Sequence, residues 1–271
     1  MRKNSIIVML SGTMLLIFLL LAGCGDGQQE APPAGGGGDI FILRLSNPDE
    51  ALNALLLETD PAQWNKYQDK STEITTSDRQ VICYHIGVKS ANALIAVFLN
   101  DYETAEKIST SIKDAANKLN IKSDEVETIA KQLASDLEEK DEKVKSRNVK
   151  QTLNMLQDAV VKALNSIGNK EEAMMIEFGA WIESIRLTSS IIMDDYSIVS
   201  ASTLLRKLEA EYFMENFAFL NINSPSTEYV ELIDAVSKLQ ALMQADANNS
   251  ISQKAVSTIN YIASQINQEI M

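Results

Sequence analysis

The sequence predicts an all-α protein, a multi-helix bundle of about eight to nine helices, on three observations. After Asn47, apolar residues recur three and four positions apart through most of the chain, the spacing that gathers side chains onto one face of a helix. Residues that start and stop helices punctuate these stretches. Period-two alternation of the kind that builds strands is rare. Together they place helices over residues 48–58, 78–100, 102–119, 124–145, 148–167, 170–193, 196–219, 226–245 and 251–270, within one helical domain spanning 40–271.

The chain opens with Arg2 and Lys3, followed by an apolar stretch from Ile6 to Leu21 broken only by Ser11, Gly12 and Thr13, and then by Leu21-Ala22-Gly23-Cys24. A charged start, an apolar middle and small residues before a cut are the layout of an export signal. The last four residues resemble the lipobox of bacterial lipoproteins. The resemblance implies a signal peptide over 1–23, cleavage before Cys24, and lipidation of Cys24 by acyl chains such as palmitate that anchor the protein to a membrane. The apolar stretch approaches the ~18 residues of a membrane span, but Gly23 and the loop-forming residues that follow argue against an uncleaved helix. Residues 25–39 are rich in Gly, Pro and Gln and read as a flexible tether reaching roughly 20 Å. Gly25, standing where an Asp would retain such proteins at the inner membrane, resembles lipoproteins released to the outer membrane, facing the periplasm.

The helices follow in order. Asn47-Pro48 places proline where a first turn tolerates it. Ser77-x-x-Gln80 matches a capping box opening 78–100, a helix with one wide apolar arc and a single polar seam of His85, Lys89 and Asn92. In 102–119, Tyr102, Ala105, Ile108, Ile112, Ala115 and Leu119 form one face. Leu137 to Lys150 is densely charged, with Val144 and Val149 its only aliphatic residues after Leu137, and is expected to be an exposed turn region or a projecting helix end. Gly168 marks the stop of 148–167. Helix 170–193 is apolar on two sides, with Met175, Phe178, Trp181, Ile182, Ile185 and Ile192 on one and Ile176, Ala180, Leu187 and Ile191 on the other. Glu183, Arg186 and Gly179 lie in one seam between them, and Glu177, Ser184 and Thr188 in the other. This helix and 78–100 are therefore expected at the centre, crossing closely at Gly87 and Gly179. Ser224-Pro225 opens 226–245. Ser250-x-x-Gln253 opens 251–270, where Ile251, Ala255, Ile259, Ile262, Ile266 and Ile270 share a face.

Aligning Gly87 with Gly179 brings out an internal echo. Asn100-Asp101-Tyr102 and Leu119-Asn120-Ile121 in the first copy face Asp194-Asp195-Tyr196 and Leu220-Asn221-Ile222 in the second. The order matches and the intervals do not, so a duplication of 78–123 as 170–224 competes with chance. The run Ile86-Gly87-Val88 to Tyr102, the Leu119-Asn120-Ile121 helix end and Phe178-Gly179-Ala180-Trp181-Ile182-Glu183-Ser184 resemble an uncharacterised all-helical bacterial lipoprotein family, over about residues 78–220. The resemblance implies a helical exported domain and carries no activity, substrate or site.

Removing Arg2 and Lys3 with the signal takes the formal charge from −13 to −15. Such acidity disfavours nucleic acid as a partner, since phosphate contact is built on clustered Lys and Arg. It also leaves membrane attachment to the acyl chains. With Cys24 lipidated, only Cys83 remains as a thiol, which excludes an intramolecular disulfide. One histidine and no Cys-x-x-Cys leave no expected metal site or cofactor. Cys83 lies on the apolar arc about 160° from His85, so His85 cannot serve as its base. No catalytic constellation is present, and the expected role is a non-enzymatic interaction or scaffold protein of the cell envelope. The alternative is a small-molecule binder with a pocket between helices 78–100 and 170–193, lined by His85, Lys89, Asn92, Glu177, Trp181 and Ser184.

Overall fold

The structure is a computed structural model that describes residues 48–121, 123–223, 226–244 and 250–270. The expectations for the signal, Cys24 and the tether fall outside these residues. The described residues form ten α-helices: α1 (Pro48–Leu55), α2 (Arg79–Phe98), α3 (Tyr102–Lys118), α4 (Asp124–Leu137), α5 (Glu142–Ser166), α6 (Lys170–Asp194), α7 (Ile198–Ser202), α8 (Lys207–Asn223), α9 (Thr227–Leu242) and α10 (Gln253–Ile270). They contain no strand. A 3-10 turn, Pro61–Tyr67, joins α1 to an extended segment that leads into α2. The described residues form one compact unit, and its core runs continuously from Leu52 to Ile266.

At the centre, α2 and α6 pair in parallel. Arg79 holds Glu172 at their N-terminal ends, and Asn92 meets Glu183 further along both. The two glycines are what allow this approach. A Cβ built on Gly87 would run into Ile176 O and lie 2.5 Å from Ala180 N, and one built on Gly179 would run into Tyr84 O. The expected crossing is thus a contact of backbone on backbone. By length and apolarity α2 would qualify as a membrane span, yet 89% of its apolar window is buried inside the protein. Around the pair, α3 packs on α2, α10 on α6, and α5 on both, while α4 closes against α5 and α3. Helix α10 runs antiparallel to α6, with Asn260 beside Ser189 and Ser190, and Asn267 on Glu183. Helices α8 and α9 form a hairpin whose aromatic rings reach α6, Phe213 and Phe217 standing 5.1 and 4.8 Å from Phe178.

Several boundaries differ from those the sequence suggests, each for a local reason. Asp141 caps α5, its carboxylate accepting from the Lys143 and Val144 amides, so the break falls at 138–141, inside the stretch read as helix 124–145, and not between 145 and 148. The stretch 196–219 divides because Ser197 and Ser200 close a capping box on the short α7, and α8 begins afresh at Lys207. Asp78, not Ser77, caps α2, accepting from Gln80 and Val81. Ser252, not Ser250, accepts from Ala255 in the first turn of α10. The cap of α9 is Ser226, with Ser224-Pro225 outside the described residues. The turn at Pro61 escaped the apolar periodicity because it is anchored through one side chain, the buried Trp64, behind Asp60 as cap.

Three helices stop in the same way. Asn100, Asn120 and Gly168 adopt positive φ after α2, α3 and α5, and the residue after each returns its amide to a carbonyl inside the last turn. The two stretches of the internal echo share a glycine at the α2–α6 crossing and differ in their helix ends. Asn120 ends α3, whereas Asn221 lies inside α8. Asp101 caps α3, whereas Asp195 follows α6 and the cap of the next helix is Ser197.

Candidate functional site

The close crossing brings the polar seams of α2 and α6 into the interior, and the chain has to satisfy them there. Glu183, 1% exposed, accepts from Arg186 through Nε and Nη2 at 2.7 and 2.6 Å, from Asn92 Nδ2 at 2.7 Å and from Asn267 Nδ2 at 2.7 Å. Asn267 in turn accepts from the Tyr84 hydroxyl. Burial, reinforced by the charge of Glu183, holds the Tyr84 phenol well above its ordinary pKa. The fork of Arg186 also reaches Tyr67 O at 3.0 Å.

On the other flank of α2 the seam fastens the extended segment 68–78. Asn92 Oδ1 accepts from the Asp69 amide at 2.9 Å, and Lys89, 2% exposed, donates to Ser71 O and to Asp69 Oδ2. Ser111 and Lys118 of α3 hold the carbonyls of Thr72 and Ile74. His85 is half-buried, and burial followed by the nearby charge of Lys89 lowers its pKa, leaving a neutral ring at pH 7. Glu183 and Arg186 neutralise one another, as their i, i+3 spacing suggests.

The six residues expected to line a pocket between the central helices do not converge. Lys89 and Asn92 both meet Asp69 of the extended segment, Asn92 reaching Glu183 as well, and His85 is half-buried on the same helix. Glu177, Trp181 and Ser184 face α8: Glu177 Oε2 accepts from the Tyr212 hydroxyl at 3.0 Å, and Ser184 Oγ accepts from Arg206 at 3.1 Å. Between them Trp181 lies among rings, 4.9 Å from Phe213 and 6.1 Å from Phe178, and its indole N–H has no acceptor among the described residues. The space the pocket would need is occupied by the backbones of α2 and α6 in contact. Cys83 is fully buried, and burial pushes its thiol up to about 12, far from a reactive thiolate at neutral pH. Among the described residues no group of three His, Cys, Asp or Glu could hold a metal ion.

Two grooves lie on the surface. One groove runs between residues 72–75 and α3, where Glu106, Lys107, Asp114 and Lys118 present both signs of charge. A second, about 200 Å³, opens where the N-terminal ends of α2, α6 and α9 meet the last turn of α10. Its floor is apolar, with Val81, Met175, Tyr229, Leu232 and Ile266 among its residues, and its charged residues Asp78, Glu228, Glu231 and Glu269 are all acidic. Gln80 braces one edge, donating to Glu171 at 2.7 Å. Sequence reasoning missed this groove because its residues come from four separate helices; the apolar spacing of Leu232 and Ala235, and of Ile266 and Ile270, marks only single faces.

Compared with family models, with curated proteins and with solved structures, the chain matches none.

Proposed function

We propose that the chain is a membrane-tethered lipoprotein of the cell envelope with a non-enzymatic, interaction or scaffold role. The observation that carries the proposal is the run Leu21-Ala22-Gly23-Cys24 behind a charged start and an apolar stretch, with residues 25–39 as the spacer to the helical unit. The resemblance of residues 78–220 to helical lipoproteins points the same way. Support for an interaction role comes from the polar seams: most of their groups are spent on holding α2, α6, α10 and the 68–78 segment together. Gly25 favours the outer membrane facing the periplasm as the destination.

Growth with a labelled fatty acid should mark the wild-type chain and leave Cys24→Ala unlabelled. Equal label on both would refute acylation at Cys24. Fractionation that finds the protein only with the inner membrane would overturn the sorting.

A further inference from the structure

The groove at the α2, α6, α9 and α10 ends combines two properties. Its floor offers apolar side chains that are only partly covered, Val81, Leu232, Ala235 and Ile270, above the buried Met175 and Ile266. Its rim carries Asp78, Glu228, Glu231 and Glu269, all exposed, with no Lys or Arg lining it and none in an ion pair with these four among the described residues. Two of the acids suit their own helices: Asp78 caps α2, and Glu228 sits in the first turn of α9. Glu269 does not. It lies in the last turn of α10, which holds no basic residue, where the helix dipole favours a cation.

Volume selects the kind of occupant. Pockets for small organic ligands run to about 300–1,000 Å³, so about 200 Å³ is room for one or two apolar side chains and not for a whole cofactor. We infer that this groove docks a basic amphipathic segment of a partner protein, one or two apolar side chains entering between α9 and α10 while Lys or Arg beside them meet the acidic rim. Helix-in-groove recognition supplies the apolar anchors, and the single sign of the rim supplies selection against acidic surfaces, including a second copy of this acidic chain. The docking site deepens the interaction role proposed above and rests on it; because it is tested without Cys24, a failed acylation and a failed docking are seen separately.

The test uses residues 40–271, which hold the described core as one compact unit, with circular dichroism to verify each variant. The probe is a fluorescein-labelled helical peptide with Leu three and four positions apart on one face and Lys at the remaining positions, with a Leu/Glu peptide of the same pattern as its counterpart, read by anisotropy. The Leu/Lys peptide should bind and the Leu/Glu peptide should not, and added salt should weaken the binding. Glu228→Gln/Glu231→Gln/Glu269→Gln should lower affinity by about fivefold or more. Glu50→Gln/Glu73→Gln/Glu138→Gln, an equal loss of charge elsewhere, should change it less than about twofold. Ala235→Trp, which fills the floor and leaves charge untouched, should lower affinity by about tenfold. Equal losses from the two charge triples, or unaltered binding by Ala235→Trp, would show that the peptide responds to net charge alone and would overturn the inference. A dimer in sedimentation that Ala235→Trp abolishes, with no peptide bound, would give the groove to a second copy and overturn it equally.

Discussion

Glu177 shows how one side chain responds to its neighbours from two other helices. On α6 it faces the Tyr212 hydroxyl of α8 and the carboxylate of Asp158 on α5. Burial, the largest influence, pushes its carboxyl up to about 7; Tyr212 works against the rise and Asp158 adds to it. The folded state therefore holds a proton that the unfolded chain releases near 4.5. Stability from this group is fully present below about 4.5 and is lost as pH rises through about 7. Glu177→Gln, which keeps an acceptor for Tyr212 and removes the ionisation, should raise the urea midpoint at pH 8 and flatten its decline between pH 4.5 and 7, by an amount on the order of 1–3 kcal/mol. A midpoint at pH 8 equal to that of the wild type would contradict this. The sequence placed Glu177 in a seam of α6 with Ser184 and Thr188, and the structure keeps it there. What the sequence could not supply was the identity of α8 as the facing helix, since Tyr212 lies 35 residues away and nothing in the spacing of 207–223 points at one side.

Helices α2 and α6 illustrate what patterning does convey. Each is apolar around most of its circumference, which requires neighbours on more than one side, and each carries a glycine mid-helix where alanine would be favoured by about 1 kcal/mol. Those two features were enough to place the crossing. Local chemistry was legible too, though misassigned by a residue or two where Ser and Asp adjoin, because either oxygen can cap and only the backbone path decides, as at Ser77 and Asp78. The crossing leads to a prediction. Gly87→Ala and Gly179→Ala should each lower the urea midpoint in spite of alanine's better propensity, because the new methyl meets main-chain atoms of the opposing helix that cannot rotate away. Overpacking of this kind costs about 1–3 kcal/mol, and Gly179→Leu should cost more. A raised midpoint for either alanine variant at unchanged slope would disprove the backbone contact.

Across the whole molecule, the parallel pairing of α2 and α6 sets the order in which the core becomes available. A chain grows from its N-terminus, so α2 is complete well before its partner: Asn92 waits for Glu183, 91 residues later. Until then a twenty-residue helix, apolar enough to pass for a membrane span, has only part of its covering. Lys89 stands at its middle, and in the finished protein its ammonium group is occupied by Asp69 and Ser71. In the nascent chain the same charge has a second consequence, since a lysine at the centre of a segment opposes its entry into a bilayer by about 2.5–3.5 kcal/mol. Residues 79–98 placed as a test segment in a membrane-insertion reporter should pass through largely uninserted, and Lys89→Leu should turn them into a span. Equal insertion of the two would show that the lysine serves the folded protein only. If only Lys89→Leu inserts, one buried side chain acts twice in the life of the molecule, first in keeping a core helix out of a bilayer and afterwards in fastening the segment that precedes it.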